Sequence, residues 1–132
     1  MELKIESPQL ADYLKELPPV VEWHSPRMRE RVEWIMSRAS SGLRRAELAF
    51  EVARDQVAHS FDTGHEVVSI TADDALRNGE GICFAKAHLL AALLRGMGIP
   101  CGFCYQRVLR KGTVTREFKN ETVSKDRLLA AA

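Results

Sequence analysis

A single cysteine, Cys83, follows a loop carrying Gly79 and Gly81 and opens the long apolar run "FAKAHLLAALLRGMG". A thiol becomes a nucleophile as its thiolate, and the unpaired N–H groups and dipole of a helix N-terminus favour that anion. Glycines before the cysteine let the backbone approach a substrate closely. They also leave N–H groups free to bind an oxyanion, and the Cys83 N–H is the candidate donor. A free cysteine between Ile82 and Phe84 also suits a small core residue. Position alone leaves both roles open.

Two further cysteines form "CGFC", Cys101 to Cys104. A thioredoxin-type pair sits where a strand passes into a helix. Here the pair follows a helix and falls inside an expected strand, where positions i and i+3 point to opposite faces. That geometry disfavours a disulfide, so two small strand residues are expected and a redox protein is the weakest reading. No second ligand pair has zinc spacing, so no metal or other cofactor is expected. Of the histidines, His88 lies five residues after Cys83, about 140° round the helix axis, and cannot serve it directly. His59 closes an expected helix in "RDQVAHSFD", with Asp55 before it and Asp62 after. A helix C-terminus favours a charged imidazole, which competes with a site role. His24 and His65 lie in expected loops.

These residues need elements to hold them. "SP" at Ser25-Pro26 is a helix start, and Met28, Val32, Ile35 and Met36 recur at helical spacing to about Arg38. A second helix is expected from Leu43 to Ala58 with Leu43, Ala46, Phe50, Ala53 and Val57 on its inner stripe. Residues 8–23 suggest a short helix closed by Pro18-Pro19, and residues 60–71 loop and extended chain. Thr71 and Asp74 form a capping pair for a helical turn ending at Asn78-Gly79. The helix from Ile82 or Cys83 to about Met97 is apolar almost all round, hence central and buried. Gly98-Ile99-Pro100 ends it. "CGFCYQRVL" reads as a strand, "KGTVTREF" as its hairpin partner and "SKDRLLAAA" as a short helix or frayed end.

The chain has 132 residues, 45% hydrophobic and 28% charged, which fits a single soluble globular domain. Its net charge of +1 gives no whole-chain basic excess for nucleic acid. The N-terminus lacks a signal-peptide pattern, and no apolar stretch is long enough to span a membrane. Three cysteines without framework spacing point to a reducing compartment, the cytoplasm.

Together, "AFEVARDQVAHSFD", "VVSITADDALRNGEGICFAKAHLLAALLRGMGIP" and "GFCYQR" resemble bacterial proteins of the transglutaminase-like superfamily, over roughly Leu43 to Arg107. The resemblance implies an α+β, papain/transglutaminase-like fold: a helix-rich N-terminal part with a central buried helix packed on a small antiparallel sheet, the C-terminal sheet truncated or diverged. Residues 1–110 would form the core and 111–132 a diverged C-terminal hairpin or tail. It implies acyl transfer, with Cys83 as the nucleophile on an amide or peptide substrate. Gly81 and Ile82 would shape its approach, and Gln106 would be a polar neighbour from the strand behind the helix. In the family a histidine and an acid follow on later strands, yet no histidine follows His88 in these 132 residues. His59 and Asp62 are the site candidates left by the "HSFD" resemblance.

Two functional classes remain in view. One is a thiol acyl-transfer domain of the cysteine-protease kind, catalytically incomplete as given unless His59, His65 or a second chain supplies the base. The other is a non-catalytic module that self-associates through exposed strand edges, swapping its C-terminal segment with a partner.

Overall fold

In the computed structural model, residues 4–105 are described. A 3-10 turn, Leu10–Tyr13, is shorter than the helix expected over residues 8–23. The chain then reverses at Pro18-Pro19, and Leu17 and Val21 exchange two backbone hydrogen bonds of 2.8 and 2.9 Å across the turn. Helix α1, Pro26–Arg38, starts as the sequence suggests: the Ser25 hydroxyl accepts from the Met28 N–H, and proline occupies the first turn. Met28, Val32 and Ile35 face inward, but Met36 lies outside their stripe.

Helix α2, Gly42–Asp55, is capped by Ser41 and ends three residues before the expected Ala58. Its inner face is Leu48, Ala49, Val52 and Ala53. Leu43, 75% exposed, and Phe50 point outward, so the expected stripe is rotated. Both stripes have helical spacing, and only packing against α1 and the helix after Gly81 selects between them. Strand β1, Ala58–His59, leads directly into the single turn α3, Ser60–Thr63, where loop was expected. Residues 64–70 are irregular. Helix α4, Ala72–Asn78, carries the full capping box of Thr71 and Asp74 and ends at Gly79 in the left-handed region, φ 68°.

Strand β2, Glu80–Gly81, pairs in parallel with β1, Ala58 opposite Glu80 and His59 opposite Gly81. Helix α5, Cys83–Gly96, follows after one residue. It is the centre of the molecule, packed by α4 on one side and α2 on another. Leu89 and Leu93 are fully buried. Burying a leucine side chain contributes about 1.5–3 kcal/mol. The architecture is a helix-rich α+β domain with a small sheet. Residues 101–105 form no strand. The rest of that expected strand, the hairpin around Gly112 and the C-terminal helix lie outside the described residues. No described helix is long and apolar enough to cross a membrane.

Candidate active site around Cys83

Cys83 is the first residue of α5, as its sequence position suggests. Helices α1 to α4 are capped by the side chains of Ser25, Ser41, His59 and Thr71. At α5 the cap position is Ile82, in extended backbone with nothing to offer the free N–H groups. Among the described residues no acceptor takes the Cys83 N–H, and no hydrogen bond reaches its sulfur. The thiol is free and 2% exposed.

Gly81 has a packing reason to be glycine. A Cβ built there would stand 2.9 Å from the Ala85 Cβ and 3.5 Å from the Ser69 Cβ. The β2 backbone therefore lies directly on the first turn of α5. Three ties hold it there. The Ala58 N–H donates to the Gly79 carbonyl at 2.9 Å. On the other edge the buried Ser69 hydroxyl donates to the Glu80 carbonyl at 2.6 Å, and the Asn78 amide donates to the same hydroxyl at 3.0 Å.

The structure brings His59 to this corner. It is not the end of α2 but half of the β1–β2 pairing, directly opposite Gly81. The favourable helix C-terminus expected for it is therefore replaced by the cap of α3, where its Nδ1 accepts from the Phe61 N–H at 3.2 Å. Its ring lies against Phe61, centroids 5.0 Å apart. Asp62 is exposed, and no described hydrogen bond joins it to His59. Its charge acts instead on Lys86, one turn into α5. Gln106 lies outside the described residues.

Sequence reasoning passed over two buried charges here. Lys86 is 9% exposed and donates to the Arg54 carbonyl at the end of α2, 3.2 Å away. Burial pushes its ammonium below the ordinary lysine range, and Asp55 and Asp62 offset part of that. Glu80, inside "GEG", is 5% exposed, and its carboxylate meets His65 Nδ1 at 3.1 Å. The available signal was an acid between two glycines, in a segment too short to stay at the surface.

Elsewhere, Cys101 is buried, which pushes its thiol up, and it forms no disulfide with Cys104. Glu16, Glu22 and His24 bring ligand atoms within 4.8 Å of one another, ahead of α1 rather than at Cys83. Open grooves of about 480 and 300 Å³ lie between α1 and α4 and along the outer face of α2, and Cys83 lines neither.

A model of the transglutaminase-like superfamily matches residues 29–126. The match reaches beyond Leu43–Arg107 at both ends. No curated protein and no solved structure matches the chain.

Proposed function

The chain belongs to the transglutaminase-like superfamily, and on that premise we propose that it is a thiol acyl-transfer domain with Cys83 as nucleophile and a peptide or other amide as substrate. One observation carries the reading: the family match spans a cysteine at the uncapped start of the central buried helix. The thiolate attacks the amide carbonyl carbon, the C–S bond forms, and the C–N bond breaks as the amine leaves with a proton. Water or a second amine then resolves the thioester. The Cys83 N–H is the oxyanion donor. Gly81 and Ile82 set the line of approach, with His59 lining the Gly81 side and Asp62 acting through Lys86. No histidine follows Cys83 beyond His88 in these 132 residues, so the acid–base half is not where the family places it.

The test is acylation by p-nitrophenyl acetate, followed by mass spectrometry of the Cys83 peptide. The native protein should gain one acetyl group on Cys83 faster than the urea-unfolded chain, and Cys83→Ser should lose it. Equal rates for the folded and unfolded chain would refute the nucleophile.

A second reading is favoured by Val68 and Ile70, 76% and 57% exposed in an irregular stretch beside β2. It makes the domain a non-catalytic module that pairs with a second copy of itself. Light scattering tests it, and a monomer at 100 µM or so would remove it.

A further inference from the structure

The four histidines differ in which ring nitrogen is committed, and that decides which of them can accept a proton. A neutral imidazole carries its proton on one nitrogen and accepts at the other. A base poised for a thiol presents a free Nε2 while a carboxylate holds Nδ1–H. At His59 the Phe61 N–H donates to Nδ1, so the proton sits on Nε2, the wrong tautomer. His88 faces the Ile70 carbonyl through Nδ1 at 2.6 Å, which frees Nε2. However, it stands about 140° round α5 from Cys83. His24 is held between Glu16 and Glu22, on the segment before α1.

His65 alone combines the right tautomer with the right neighbourhood. Its Nδ1 meets the Glu80 carboxylate at 3.1 Å, so Nδ1 donates and Nε2 keeps its lone pair. The ring is 69% exposed and the carboxylate 6% exposed: a buried acid holding an accessible imidazole. Glu80 precedes Cys83 by three residues, which bounds their Cα separation at about 11 Å. Its backbone is fixed on one side by the pairing of Ala58 and on the other by Ser69.

We infer that His65 is the general base for Cys83 and that Glu80 is its positioning residue, an acid–base half supplied from before the nucleophile rather than after it. The inference rests on the acyl-transfer reading above. His65 Nε2 takes the proton from the Cys83 thiol, and the thiolate attacks the amide carbon. The imidazolium returns that proton to the leaving amine. In the second half His65 takes a proton from water, the hydroxide displaces sulfur, and the proton ends on the thiolate. The other charged groups around this corner are Lys86, Asp55, Asp62, Glu66 and His59. Only Lys86 among them is buried, and it is turned toward Arg54.

Peptide-resolved alkylation of Cys83 by iodoacetamide, at pH 7 and at pH 9.5, tests the assignment. His65→Gln should slow the reaction about tenfold at pH 7. At pH 9.5, where hydroxide ionises a thiol without help, it should slow far less. Glu80→Gln should act in the same direction, and His24→Gln should leave both rates as they are. His65 is exposed, so its replacement does not endanger folding. A fast Cys83 that His65→Gln leaves unchanged overturns the base and spares the nucleophile. A Cys83 no faster than in the unfolded chain overturns both. Imidazole nitrogen shifts give a readout independent of Cys83: a proton on His65 Nδ1 at neutral pH is expected, and a proton on Nε2 overturns the assignment.

Discussion

Gly81 leaves no room for a methyl group. Its neighbour Ala85 belongs to the rigid first turn of α5. Gly81→Ala must therefore move β2 off the helix or shift Cys83. Overpacking of this kind costs about 1–3 kcal/mol. Urea denaturation should show that loss, together with slower acylation of Cys83. Lys86 makes a different prediction, in pH. Burial holds its folded-state pKa below the ordinary 10.5, so the unfolded chain binds more protons in the window just below that value. Stability contributed by this site therefore rises as pH climbs through that window. The buried Cys101 thiol works the other way, since its raised pKa removes stability as pH passes 9.0. Lys86→Met should delete the rise and leave the Cys101 fall, visible as a steeper alkaline loss in melting curves. At this scale the sequence showed Cys83 because its signal is contiguous: two glycines, a cysteine and an apolar helix. It hid the contact between His65 and Glu80 because the two lie 15 residues apart. Their pairing depends on Glu80 being buried by β1, which no local pattern encodes.

Helix boundaries follow local chemistry, and local chemistry can be read. Ser25-Pro26, Thr71 with Asp74, and Gly79 each stand where the sequence suggests, because a cap is decided within four residues. The inner face of α2 is not a local matter. Leu43, Ala46 and Phe50 make as regular a stripe as Leu48, Ala49, Val52 and Ala53, and tertiary packing chose the second. The ring of Phe50 instead receives the guanidinium of Arg54, 5.5 Å from its centroid. Two predictions belong here. Thr71→Ala removes the hydroxyl that accepts from the Asp74 N–H at 3.0 Å and should cost about 1 kcal/mol in chemical denaturation. Asp74 adds an acid limb. Burial raises its pKa, but the Thr71 and Ile70 N–H groups, the Thr71 hydroxyl and Arg77 outweigh that and hold it below 3.8. Its stabilisation is present above that value and lost as pH falls through the folded pKa. Asp74→Asn should flatten the melting-temperature profile below about pH 4, while the wild type continues to fall.

Across the whole molecule, Arg95 joins the end of the central helix to both flanking segments. It is 5% exposed and has no carboxylate partner among the described residues. Its guanidinium donates to the carbonyls of Cys101 at 2.8 Å, Lys15 at 2.8 Å and Asp12 at 3.4 Å. A second tie, the Cys101 N–H on the Tyr13 carbonyl at 3.0 Å, runs beside it. Arg95→Leu strands these acceptors, and each buried unsatisfied group costs about 1–3 kcal/mol. The expected result is a loss of at least about 2 kcal/mol, with faster tryptic cleavage after Lys15 as the N-terminal segment lifts.

The short parallel pairing has one more consequence. The Ala58 amide is closed onto the Gly79 carbonyl, so it can exchange its hydrogen with solvent deuterium only when the turn carrying Cys83 comes away from β1. That single amide, remote from any reacting atom, is a clock for the opening of the site. Its exchange rate in the resting protein measures how often the nucleophile's turn is out of place.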